Sequence, residues 1–159
     1  MKDFDDMDHM PSWDAFNFLR GEEEEGEEWK NNPKIERAKN LYEQARQVYK
    51  YSALFCETLT GEMADMSKEL IMQNAMMLCP KIVGAEGGDM YILRMENASI
   101  VRTNARELET QVKASVLFEN SREVDVAVVV KEIDKFKELF KIWVSHFEKD
   151  DFEDEWGLY

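Results

Sequence analysis

Residues 124–147 read VDVAVVVKEIDKFKELFKIWVSHF, and the fold turns on whether they form a strand or a helix. The opening VDVAVVV is rich in β-branched side chains, which favour a strand, though that preference spans only about 1 kcal/mol and depends on context. Downstream, Val126, Val129, Ile133, Phe136, Phe140, Trp143 and Phe147 recur in steps of three and four, with charges between them. That is the period of one helix face, held for about six turns at 3.6 residues per turn, so the whole segment is expected to be helical.

Working upstream, the same spacing gives three more helices. The first is expected from about Pro33, a residue suited to an opening turn, to about Leu59, with Gly61 as its stop. Its apolar stripe is Ile35, Ala38, Tyr42, Ala45, Tyr49, Ser52, Phe55 and Leu59. The second starts near Thr60 or Glu62, with Met63, Met66, Leu70, Asn74 and Met77 in line and Ile71 and Leu78 widening the stripe. The third is expected from about Asp89, a capping residue type, to about Phe118, along Leu93, Asn97, Ile100, Val101, Asn104, Leu108, Val112 and Ser115. Asparagine on such a seam is costly unless hydrogen-bonded, and Asn97 and Asn104 are expected to set register between helices.

The stretch CPKIVGAEGG, residues 79–88, admits two readings. Either the second helix stops at Leu78, because a residue before proline avoids the helical region, or it bends at Pro80 and continues to about Gly87. In the second case Ile82, Val83 and Ala85 stay on the bundle and the Met76 carbonyl loses its partner. Four helices of about 37 Å each, at 1.5 Å per residue, must cover one another's stripes because no other element is at hand. The expected fold is therefore all-α: an antiparallel up-down-up-down four-helix bundle.

Charge divides the chain into three parts. The net charge of −14 falls as −8 on residues 1–33, −1 on residues 34–147 and −5 on residues 148–159. A nearly neutral bundle is thus expected between two acidic, partly disordered, aromatic-containing tails. In the first tail Trp13, Phe16 and Leu19 follow Ser12 at helical spacing, an anchor set for a protein partner's groove. No apolar run is long enough for a membrane span, and the acidic MKDFDDMDHM start is unlike a signal peptide, so a cytoplasmic location is expected. Ten methionines suggest an adaptable interior. Cys56 and Cys79 are expected to be buried thiols, not a disulfide.

Chemistry has few footholds. Neither His9 nor His146 has a glutamate three residues before it, as a di-metal bundle needs, and Gly84, Gly87 and Gly88 lack the lysine and spacing of a phosphate loop. Glu86, Glu107 and Glu109 are expected to cap helices or pair with arginines such as Arg94, Arg102 and Arg106. No catalytic residue, metal or cofactor is expected.

Pro80, Ala85, Glu86 and Gly87, together with Glu107, Leu108, Glu109, Thr110 and Gln111 ahead of KEIDKFKELFKIW, resemble the 23S rRNA intervening-sequence family of four-helix-bundle proteins. Relatives of that family include the accessory protein of diversity-generating retroelements. The resemblance spans roughly residues 34–147. It implies a ring-shaped homopentamer, a proline and glutamate-glycine pair closing the second helix, and, in some relatives, nucleic-acid binding through basic surface. The chain departs from the family with Thr103 and Asn104 where a Gly-Ser pair is usual, and with a neutral body where nucleic-acid binders are basic.

Two function classes follow. One is a non-enzymatic, self-associating assembly or interaction module that offers its acidic tails to a protein, with mimicry of nucleic acid toward a basic partner as a variant. The other is a nucleic-acid accessory protein, disfavoured by net charge, in which a ring gathers Lys34, Arg37, Lys39, Arg46, Lys50, Arg102, Arg106 and Lys113 into patches.

Overall fold

The computed structural model describes residues 9–15, 32–118 and 121–158. Four helices build an all-α bundle: α1 Pro33–Thr58, α2 Ala64–Glu86, α3 Tyr91–Ala114 and α4 Glu123–Ser145. The valine run that opens residues 124–147 is helix from its start, and no strand occurs among the described residues. α1 packs on α2 and α4, and α3 on the same two, so α1 and α3 stand at opposite corners; the α3–α4 seam is the most sparsely packed of the four. Contacts from Lys34 to Asp89, Glu86 to Arg94 and Trp143 to Glu86 gather the start of α1, the end of α2, the start of α3 and the end of α4. Contacts from Cys56 to Lys68 and Ser115 to Ser121 gather the opposite ends, as an alternating order requires.

Helix ends follow local chemistry. Asn32 caps α1 by accepting from the Lys34 backbone N–H at 3.0 Å, and Pro33 fills the first helical position, where its missing N–H costs nothing. Asp89 does not cap α3. It accepts instead from Lys34 Nζ at 2.6 Å, and that bond holds its carboxyl below the ordinary value. The carboxylate at the start of α3 comes from far along the chain: Asp150 Oδ2 accepts from the Tyr91 N–H at 2.8 Å. An acid there also suits the helix dipole. The third helix ends at Ala114, short of Phe118, where Ser115 is buried and bonded to Val112 O and Ser121 Oγ, each at 2.6 Å.

The expected stripes of α1 and α4 face the core, with Ile35, Phe140 and Phe147 only partly covered. α2 corrects the reading of its sequence. Its buried line is Ile71, Ala75, Leu78, Ile82 and Ala85, with Asn74 and Cys79 beside it, while Met63 and Met66 are exposed. The methionines do not form the interior: Met76 and Met90 are exposed as well, and no methionine is fully buried among the described residues. Small side chains let α2 approach its neighbours, and full burial of Ile71, Leu78 and Ile82 contributes about 1.5–3 kcal/mol each.

α2 runs through Pro80 to Glu86, so the continuing reading holds and Ile82 and Ala85 lie in the core with Val83 packed against it. Pro80 and Met76, one turn apart, are both exposed, so the carbonyl that proline leaves unbonded lies on the solvent side, where such a group is least costly. On α3 the first half is rotated from the expected stripe. Ile92, Arg94 and Ala98 are buried and Leu93 is exposed. Asn97 and Asn104, expected to set register, bond back to their own helix, at Leu93 O (2.8 Å) and Ile100 O (2.9 Å), and neither side chain hydrogen-bonds to another helix among the described residues. Asn97 still fixes a close approach: a Cβ added to Gly84 on α2 would lie 3.0 Å from its Oδ1.

Candidate functional site

At the end of the bundle that holds Trp143, Glu86 organises three helices. Its Oε1 accepts from Arg94 Nη2 at 2.7 Å and from Trp143 Nε1 at 2.8 Å, and the Arg94 guanidinium lies 4.3 Å over the Phe147 ring. Trp143 and Phe147 meet edge to face with ring centres 4.7 Å apart. The pairing expected for Glu86 is thus present, and it is a buried one, with side-chain exposures of 7% and 9% for the glutamate and arginine. A buried carboxylate and guanidinium are tolerated only as such a bonded pair. The family-motif residues Ala85 and Leu108 are core, and Gly87 ends α2 with φ −71, an ordinary value for any residue.

Next to this closed end, the α3–α4 seam opens. Ala105, Ile133, Phe136 and Phe140 floor an apolar groove of about 270 Å³. Arg102, Arg106 and Glu109 rim it from α3, and Lys137 and Lys141 from α4. The two arginines are exposed and make no hydrogen bond or ion pair among the described residues. The two lysines pair with exposed acids on their own helix, at 3.4 Å to Asp134 and 2.7 Å to Glu138, and Lys137 also reaches Glu109 at 3.7 Å. Such solvent-exposed pairs contribute about 0–1 kcal/mol and exchange readily for another acid. Within the remaining motif, Glu109 joins Lys113 at 2.5 Å, Thr110 bonds back to Arg106 O, Gln111 O accepts from the Ser115 N–H, and Glu107 is exposed.

A second, polar cleft of about 440 Å³ lies beside the Glu86 cluster. Lys34, Arg37, Asp89, Arg94, His146 and Glu148 line it, with Lys34 and Arg94 already tied to acids. The cations named from the sequence therefore separate. Lys34, Arg37 and Lys39 ride on α1, and Arg102, Arg106 and Lys113 on α3 at the opposite corner. Arg46 is paired with Glu43 at 2.8 Å, and Lys50 is buried.

The expected partner anchor Trp13 is used within the chain. It is buried in a short 3-10 turn, Trp13–Ala15, with its ring centre 5.6 Å from that of Tyr42, whose hydroxyl donates to Pro11 O at 2.6 Å. Part of the first acidic segment thus belongs to the folded body. Phe16 and Leu19 lie outside the described residues.

Neither cleft holds a thiol. Cys56 and Cys79 are buried and not joined in a disulfide, and burial pushes the Cys56 thiol up to about 12, against a smaller opposing pull from Lys68. A thiol so placed stays protonated at neutral pH and is a poor nucleophile. Among the described residues, no cluster of three or more His, Cys, Asp or Glu side chains is arranged for a metal ion, and no helix is long and apolar enough to cross a membrane.

Sequence reasoning missed the groove. The signal present was a pair of cations four residues apart on each helix, Arg102 with Arg106 and Lys137 with Lys141, flanking the apolar stripes. What the arrangement offers is binding: an apolar floor for one or two large side chains inside a rim of four cations and Glu109. Compared with family models, with curated proteins and with solved structures, the chain matches none.

Proposed function

We propose that this chain is a non-enzymatic, self-associating four-helix-bundle module of the cytoplasm that works by docking protein segments. The α3–α4 groove carries the reading. Three seams of the bundle are packed, while the fourth leaves Phe136 and Phe140 at the floor of an opening edged by four cations and one acid. At about 270 Å³ the groove falls below the roughly 300–1,000 Å³ of small-molecule pockets, and it suits inserted side chains better than a metabolite. The resemblance at Pro80 to Gly87 and at Glu107 to Gln111 supports the same reading, since members of the 23S rRNA intervening-sequence family form homopentameric rings. Size-exclusion chromatography with light scattering on the full chain tests it: a mass several times that of one chain is expected, and a monomer at every concentration overturns it.

One observation favours the second reading, a nucleic-acid accessory role. Arg102 and Arg106 are exposed and unpaired among the described residues, ready for two phosphates. The apolar floor between them and Lys137 and Lys141 gives a sugar-phosphate backbone little to bind, which places this reading second. A gel-shift with RNA and duplex DNA at low and moderate salt decides it, because phosphate contacts weaken steeply with salt.

A further inference from the structure

We infer that the occupant of the α3–α4 groove is the acidic aromatic segment 150–158 of a second copy of this chain. This rests on the self-association reading and names its contact. The segment reads DDFEDEWGL and holds five acids and no base, against a groove rim of four cations and one acid, Glu109. It also carries the anchors the apolar floor lacks. Trp156 is 82% exposed, with Phe152 and Leu158 more than half exposed. Three large apolar side chains this open within nine residues are available as anchors for a partner's groove.

The segment is shaped to present them. Gly157 N–H donates to Asp154 O at 3.0 Å, Leu158 N–H donates to Asp154 Oδ2 at 3.1 Å, and Gly157 takes the left-handed φ of 72 that closes the turn. Trp156 sits within that turn. Asp151, Glu153 and Glu155 are exposed and available to the rim, while Asp150 is engaged at the start of α3.

Reach decides between the chain's own groove and a neighbour's. Asp150 is tied to Tyr91, and Ala105 at the middle of the groove lies roughly 21 Å further along α3, at 1.5 Å per residue. Trp156 is six residues past Asp150 and spans at most about 20–22 Å fully extended. Even with the length of the indole added, closure on its own groove needs a largely extended segment, which the turn at Asp154 opposes. A second copy makes no such demand. The contact is between two different surfaces, groove and segment, so repetition closes a ring or propagates a chain.

The test is sedimentation equilibrium on the full chain and exposed-site variants, with circular dichroism to show that each is folded. Phe152→Ala/Trp156→Ala, and separately Arg102→Glu/Arg106→Glu, are expected to raise the dissociation constant of the native assembly about tenfold or more. Mixing Arg102→Glu/Arg106→Glu with Glu153→Lys/Glu155→Lys is expected to restore association between the two variants. If the native chain assembles and the segment variants assemble equally well, the occupant is wrong and the self-association reading survives. A monomeric native chain overturns both.

Discussion

At Arg94, near the start of α3, the cation is buried, bonded to Glu86 and covered by Phe147; two turns along the same helix, at Arg102, the cation is exposed beside an apolar floor and, among the described residues, unpaired. Both stretches face α4. In the first, Trp143 fills the space between the helices and its indole N–H completes the Glu86 shell. In the second, Phe136 and Phe140 lie at the floor, and the one apolar side chain that α3 contributes to the lining is the small Ala105. The contrast separates charge that holds a fold together from charge that is left for a partner.

The largest expected effect lies in the closed stretch. Glu86→Ala strands the Arg94 guanidinium in the interior, and a loss of about 3–5 kcal/mol in urea unfolding is expected. The paired replacement Glu86→Leu/Arg94→Met removes both charges and should recover more than half of that loss. An equal loss in the single and double variants would mean that burial of charge is not what makes this end special.

The buried thiol gives the next effect, through pH. Cys56 has its pKa raised from 9.0 to about 12 in the folded chain, so the folded state holds its proton over a range where the unfolded state releases it. Its stabilising contribution is complete below about pH 9 and is lost as pH rises toward about 12. Alkaline melting of the native chain should therefore be steeper than that of Cys56→Ala. Parallel curves would place the thiol in contact with solvent.

A smaller effect belongs to the α2–α3 approach. Gly84→Ala gains about 1 kcal/mol of helix propensity but presses a methyl group onto Asn97 Oδ1. The gain is expected to appear only when Asn97→Ala is also present, read as a coupling in a double-mutant cycle of denaturation midpoints. The smallest effect on stability is expected in the open stretch. Compared at dilutions where both are monomeric, Arg102→Glu/Arg106→Glu should unfold within about 0.5 kcal/mol of the native chain, because surface cations without partners among the described residues support no part of the fold. A large destabilisation there would erase the contrast between the two stretches.

The stripes of α1 and α4 were legible in the sequence because large apolar residues and the helical period agree from Ala38 to Phe55 and from Val126 to Trp143. α2 was not, since its core face is built partly from Ala75, Cys79 and Ala85 while Met63 and Met66 mark the exposed side. Size and hydrophobicity pointed the wrong way. Nor does sequence distance announce Asp150 at the start of α3, which became visible only once the end of α4 was brought there. The cations of the groove were readable as i,i+4 pairs; that α3 and α4 leave a gap between them depends on Ala105 facing Phe136 and Phe140, which no single helix reveals.

Photo-crosslinking from position 156 is the most direct test of the docking groove. With benzoylphenylalanine in place of Trp156, illumination of the native assembly should give a covalent dimer, with the adduct mapped by mass spectrometry to the stretch around Ala105, Phe136 and Phe140 of the other copy. Adducts confined to a single chain, or a dimer joined elsewhere on the surface, would contradict the account.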